Sequence, residues 1–334
     1  MRLGILGSGM IVNSALESIK HIDDKVTCKA LWCRDVDLTL GKELKNKYQI
    51  PSLYTKYDEF LKDSSYDVVY VGLINSVHYE YTKKALEAGK NVICEKPFSS
   101  NSKEAKELID LAKAKGLYIF EAIMLRYADN YDAIIENIKD LGKITLVQCN
   151  YSQYSSRFDK YQEGIVLPAF DPHLSGGSLY DINVYCLQFT IGLFGKPKEV
   201  HYFANKGTNG IDTSGVVVLD YESFKAICVG AKDSNSPAKC TIQGYKGYIN
   251  VDSMPGMPQN ITMVLNKQEG KLLDVNSLDK PMCNEFLKID EMIKNNEIEK
   301  CYRYIDITYD VMCVLEDARK NAGIIFDADK KEME

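Results

Sequence analysis

Leu3 to Leu6 form a short apolar run, and Gly7-Ser8-Gly9 separate it from a helical pattern that continues to about Ile19. A strand, a glycine turn and a helix at the head of a chain constrain the fold strongly. They demand a crossover back to a parallel neighbour, and the sequence supplies one repeatedly. Val26 to Cys33 reads as a second strand and Leu38 to Tyr48 as a charged amphipathic helix. Asp67 to Leu73 is β-branched and nearly all apolar, as a parallel strand buried on both faces must be. Helix His78 to Ala88, strand Asn91 to Cys94, helix Ser102 to Lys115 and strand Tyr118 to Glu121 complete the rhythm. This alternation predicts a doubly wound parallel sheet in an α/β fold.

After Glu121 the pattern changes. Residues 146–152, 199–203, 214–220, 225–229, 240–243 and 248–251 read as strands joined by turns, hence an open, mostly antiparallel sheet. Gly176 to Phe194 is a long helical stretch, and Tyr304 to Asn321 is a late helix that stops at Gly323. Residues 233–237 and 254–258 are turn-rich loops. The expected division is 1–121, then an α/β domain at 122–302, then a helix and tail at 303–334 packing back on the first domain.

At 334 residues and a net charge of −6, the chain has room for two domains and no electrostatic reason to bind nucleic acid or a membrane. The ten cysteines include no C-x-x-C pair, which suits reduced, buried thiols and a cytoplasmic location. With four histidines and no His-x-x-x-His, a metal site is not expected.

Gly7-Ser8-Gly9 has the position of a dinucleotide-binding turn: Gly7 for the tight bend, Gly9 for close approach of a pyrophosphate to a helix N-terminus. Met10 and Ile11 follow on the first helical turn and join the candidate contacts. The third fingerprint position is Val12, not glycine or alanine, which challenges close helix–strand packing. At the exit of the second strand, Cys33 is followed by Arg34-Asp35. A neutral residue then an arginine favours the 2′-phosphate of NADP, whereas a shifted register would let Asp35 hold the ribose of NAD. Asn75-Ser76-Val77-His78 follows the third strand; Asn75 and His78 are candidate cofactor contacts, or Asn75 or Ser76 caps the next helix. Glu95-Lys96-Pro97 ends the strand 91–94 and places Lys96 at the ligand-binding edge of such a sheet. Asp181 and Tyr185, at i and i+4, share a helical face and read as a buried pair, either catalytic or simply hydrogen-bonded. Arg126, beyond Glu121-Ala122, either faces the cofactor or braces the domains.

These pieces, in this order, resemble the Gfo/Idh/MocA oxidoreductases (glucose–fructose oxidoreductase, inositol dehydrogenase and rhizopine catabolism). The block Ala88-Gly-Lys-Asn-Val-Ile-Cys-Glu-Lys-Pro97 carries most of the likeness, with Gly176-Gly-Ser-Leu-Tyr-Asp-Ile-Asn-Val-Tyr185 and the late Val314 to Gly323 in support. The resemblance implies a Rossmann domain plus an α/β domain whose sheet often serves as a dimerisation surface. It also implies catalytic roles for Lys96, Asp181 and Tyr185. Here Asn183 stands for the glycine and Tyr185 for the histidine of a D-I-G-x-H motif. A tyrosine there is similar to the dimeric dihydrodiol dehydrogenase and NADP-dependent D-xylose dehydrogenase branch, where it is the acid/base. Glu121, Ala122 and Arg126 match the same branch. The activity implied is hydride transfer between NADP, or NAD, and a sugar or polyol. A non-catalytic dinucleotide-binding regulator and an NAD-dependent glycosidase of the same fold are the alternatives.

Overall fold

The computed structural model describes residues 1–275 and 281–330, which form two compact units. The first comprises Met1–Ile123 and Leu278–Asp306, the second Met124–Ser277 and Ile307–Glu334.

The first unit is built on β1 (Arg2–Leu6), β2 (Thr27–Trp32), β3 (Ser52–Tyr54), β4 (Val68–Val71), β5 (Asn91–Glu95) and β6 (Ile119–Ala122). All neighbours run parallel, in the order β3-β2-β1-β4-β5-β6. The order reverses between β1 and β4, so ligands are expected at the carboxyl ends of these strands, where Gly7 and Gly72 sit. All four residues of β4 are buried, which is what its unbroken apolar run requires. The helix Ser102–Lys115 is capped by Asn101, whose side chain accepts from the Glu104 N–H, and closed by Gly116 in the left-handed region.

The compact units differ from the expected 1–121, 122–302 and 303–334 division. The helix Pro281–Lys294 returns to the first unit: Asp290 pairs with the N-terminal ammonium at 2.6 Å, and the Phe286 ring lies 5.7 Å from that of Tyr70. Cys301 Sγ reaches the Ile119 carbonyl at 3.2 Å. The tail beyond Asp306 belongs instead to the second unit, where Asn321 donates to the Val200 carbonyl and Arg319 pairs with Asp329.

The second unit holds β7 (Ile144–Ser152), β8 (Glu199–Lys206), β9 (Asp212–Asp220), β10 (Lys225–Ala231), β11 (Lys239–Gly244), β12 (Gly247–Val251), β13 (Ile261–Leu265) and β14 (Lys271–Leu272). They form one sheet in the order β14-β13-β12-β11-β7-β10-β9-β8. Only β7 and β10 pair in parallel, so the sheet is mostly antiparallel as expected. Val147, Cys149, Cys228, Cys240 and Ile242 are fully or almost fully buried on alternate positions, and the helix Val184–Phe194 buries Cys186, Leu187 and Phe189. None of the ten cysteines is in a disulfide, and all but Cys28 and Cys313 are buried. Burial pushes the Cys94 and Cys301 thiols up, the latter to about 12, so they pack as small neutral groups.

Candidate active site

At the cofactor turn, Gly7 has φ +110°, and a side chain there would collide with the Gly72 carbonyl. Only glycine fits. Gly9 precedes the helix Met10–Lys20 as its N-cap with no side-chain capping bond, and a Cβ there would meet nothing within 4 Å. No N-cap side chain satisfies the helix start and the space beside Gly9 is open, which fits close approach of a pyrophosphate. Val12 does not loosen the packing. Its Cγ2 would lie 2.7 Å from a Cβ on Gly72, so the room given up at the third fingerprint position is recovered on β4. Ser8 is buried, Ile11 half-buried, and Met10 is 73% exposed at the rim of the turn.

Cys33 is buried just past β2, with Sγ against the Gly41 backbone, so it shapes the strand exit and presents no polar group. Arg34 is exposed, and its Nε donates to Asp37 Oδ2 at 2.7 Å. An exposed ion pair of this kind contributes about 0–1 kcal/mol, so a phosphate can take over the guanidinium cheaply. Asn75 lies in a short 3₁₀ turn, and the helix His78–Glu87 has Val77 as its N-cap with no side-chain capping bond. The N-cap position of that helix thus falls on Val77, not on Asn75 or Ser76.

His78 is fully buried. Its Nδ1 lies 2.9 Å from the Pro97 carbonyl and its Nε2 3.0 Å from the Leu73 carbonyl. Burial lowers its pKa, outweighing the two carbonyls that favour the charged ring. The side chain thus ties the exit of β4 to the turn carrying Lys96, and holds the cofactor edge in shape from within.

Lys96 is half-buried, joined to Pro97 by a cis peptide bond. Glu95, buried beside it, accepts from the Tyr70 hydroxyl through Oε1 and from the Lys96 N–H through Oε2 at 3.2 Å. Burial pushes the Glu95 pKa up. Glu285 is also buried; neither of its oxygens has a hydrogen-bond partner, and its pKa rises well above the usual range through burial and the charges of Glu95 and Glu121.

In the second unit, the stretch opened by Gly176-Gly177 does not become helical until Ser178, later than the spacing predicts. Gly177, at φ +101°, lets the Asp212 carboxylate approach, and the Leu179 N–H donates to Asp212 Oδ2 at 2.6 Å. Leu179–Asn183 is a single π-helical turn, which then passes into Val184–Phe194. Such turns recur at functional sites. Asp181 and Tyr185 emerge half-buried, not buried. The carboxylate of Asp181 is ion-paired with Lys232, whose side chain is only 2% exposed. Tyr185 stands edge-on to Tyr151, ring centres 5.7 Å apart, and a Cβ on Gly256 would lie 2.6 Å from its ring. Asn183 occupies its motif position because Gly230 opposite lacks a side chain, and its Nδ2 donates to the Cys228 carbonyl at 3.1 Å.

Arg126 is buried in the second unit, donating to Gln188 Oε1 at 2.8 Å with its guanidinium 5.9 Å from the Tyr131 ring centre. These are the contacts of a packing residue. Lys232, Asp212 and Glu285 join the site from the structure alone. Lys232 carried a usable signal, since it stands at the exit of β10 as Lys96 does at that of β5.

Residues 1–122 match the oxidoreductase family with an NAD-binding Rossmann fold, and residues 133–250 match the GFO/IDH/MocA C-terminal domain. The scyllo-inositol 2-dehydrogenase (NADP(+)) IolU of Bacillus subtilis (strain 168) is 32% identical over 99% of both chains. The trans-1,2-dihydrobenzene-1,2-diol dehydrogenase of Xenopus tropicalis is 29% identical over 84% of this chain and 82% of its own. The 3-ketoreductase KijD10 of Actinomadura kijaniata, solved with NADP and TDP-benzene, superposes with a TM-score of 0.82 at 17% identity, over 98% of this chain and 99% of its own. The glycine turn, the strand-exit lysine and the two-sheet architecture thus have one explanation: the chain belongs to the Gfo/Idh/MocA family of NAD(P)-binding oxidoreductases.

Proposed function

We propose that the protein is an NADP-dependent dehydrogenase or reductase acting on a carbinol carbon of a sugar, polyol or related hydroxy compound. One observation carries this reading. Tyr185 is a half-open phenol held between Tyr151 and Gly256, four residues beyond an aspartate paired to a buried lysine. The bound dinucleotide supplies the hydride acceptor or donor. Tyr185 exchanges the proton of the reacting oxygen, and Lys96 is assigned to the same chemical step. Asp181 accepts a hydrogen bond from a substrate hydroxyl and orients it. Arg34 selects the 2′-phosphate. The relatives above are, by name, an inositol dehydrogenase, a dihydrodiol dehydrogenase and a ketoreductase, which supports a cyclic polyol or sugar as substrate.

A homodimer through the second sheet fits the same reading. Phe203, 68% exposed on β8, heads a half-buried apolar row of Val216 and Val229, beside Val218 and Ile227. Among the described residues, no helix is long and apolar enough to cross a membrane. The free thiols suit a reducing, cytoplasmic setting.

The test is a thermal-shift comparison of NADP with NAD, followed by a panel of scyllo-inositol, myo-inositol, D-xylose and D-glucose with the better cofactor. Stabilisation by NADP and turnover of at least one polyol or sugar are expected. Protein that carries NAD(H) through purification and consumes no cofactor with any substrate contradicts the reading and favours a glycosidase working by transient oxidation.

A further inference from the structure

We propose that Lys232 is a positioning residue of the active site, holding Asp181 ionised and aimed as a hydrogen-bond acceptor for the substrate. The inference rests on the reading of Asp181 as a substrate-orienting group.

Lys232 follows the last residue of β10, and its backbone is fixed on both sides. Its N–H donates to the Thr213 carbonyl at 2.8 Å, and its own carbonyl accepts from the Ser155 N–H at 2.9 Å. Its side chain is 2% exposed, with the ammonium 4.7 Å above the Phe170 ring centre and 3.3 Å from the Ala169 carbonyl. An ammonium buried against an aromatic face is costly unless a carboxylate neutralises it. Asp181 Oδ2 is that carboxylate. The two ends of the pair are unequally placed: the Asp181 side chain is 34% exposed. The cation is therefore locked in the protein, and the anion is the end that a ligand can reach.

The surroundings make Asp181 the partner Lys232 is built for. Asp212, a further carboxylate that feels the charge of Lys232, already accepts from the Leu179 N–H at 2.6 Å and the Tyr202 hydroxyl at 2.7 Å. The neighbouring Asp233 accepts from the Thr213 and Ser214 hydroxyls, both at 2.8 Å. Asp181 sits in the π-helical turn, where the backbone carries it out of register with the following helix. The pair with Lys232 then fixes the carboxylate's direction. An ionised carboxylate accepts a hydrogen bond and cannot donate one. Asp181 so held selects a substrate bearing a hydroxyl, and leaves proton exchange with the reacting oxygen to Tyr185. Lys232 acts through Asp181 and needs no contact with substrate.

The test is a double-mutant cycle with K232M, D181N and D181N/K232M, plus K232R, assayed with the best substrate of the polyol and sugar panel. NADP affinity and melting temperature are measured alongside. K232M is expected to lower kcat/KM at least 30-fold, chiefly in kcat, with NADP affinity within twofold of wild type. K232R, which keeps the charge, is expected to stay within about fivefold of wild type. The double variant, which replaces the ion pair by neutral groups and so keeps the fold even where K232M does not, is expected to lose no more than D181N alone. A damaged D181N together with a wild-type K232M, or losses that multiply in the double variant, overturns the role of Lys232. A wild-type D181N overturns the reading of Asp181 itself and the inference with it.

Discussion

Tyr70, fully buried in β4, donates its hydroxyl hydrogen bond to the carboxylate of Glu95, the residue that precedes Lys96 at the end of β5. The other Glu95 oxygen takes the Lys96 N–H. A phenol in the middle of the sheet thereby sets the geometry of the lysine's own peptide. Tyr70→Phe leaves the apolar packing against Phe286 in place and removes one partner of a buried carboxyl, which costs about 1–3 kcal/mol. The expected outcome is a lower unfolding midpoint in urea and a kcat several-fold below wild type, with NADP affinity nearly unchanged.

Glu285 gives the protein a pH-dependent stability of defined sign. Its folded-state pKa is raised by burial and by the charges of Glu95 and Glu121, so folding favours the neutral acid. A raised carboxyl pKa contributes stability that is fully present below the ordinary value of 4.5 and is lost as pH rises towards the folded value. Glu95 shifts the same way. Thermal melts between pH 5 and pH 9 should show wild type losing stability with rising pH, and Glu285→Gln losing less. Identical pH profiles for the two proteins contradict the assignment.

On the proposed reading, Arg34 is the residue that selects NADP over NAD. Removing its guanidinium by Arg34→Ala should weaken NADP about tenfold to a hundredfold, the 1.5–3 kcal/mol of a charge-assisted hydrogen bond, and leave NAD unchanged. Asp37→Ala, which frees the guanidinium from its ion pair, should tighten NADP slightly. Binding titrations with both dinucleotides check each arm.

The apolar row on the second sheet predicts an interface that one charge disrupts. Phe203→Asp should shift the protein towards monomer in sedimentation, since an unpaired charge cannot be buried in such a face. An unchanged sedimentation coefficient, dimeric or monomeric, places the interface elsewhere or removes it.

Much of this is legible in the sequence because it is local. Val68–Val71 reads as a buried parallel strand from four apolar residues, and Gly7-Ser8-Gly9 declares its turn before any contact is known. The edge strands β3 and β14 escape because three and two residues are too short to show a period. The site is legible in its residues but not in its pairings. Helical spacing suggests an Asp181–Tyr185 pair, yet the lysine that holds Asp181 arrives from a strand 51 residues later. His78 reads as a cofactor contact by position, whereas both its nitrogens point at backbone carbonyls inside the fold. Chain neighbours are visible in a sequence; partners brought by sheet topology are not.

On the proposed reading, Lys96 and Tyr185 serve the chemical step and not the fold. Single-turnover hydride transfer, followed by NADPH absorbance at saturating substrate, tests it most directly in Lys96→Met and Tyr185→Phe. The expected result is a rate reduced by about 10²–10⁴-fold in each, the usual contribution of a positioned acid–base group, with NADP affinity and melting temperature close to wild type. Near wild-type rates in both variants contradict it.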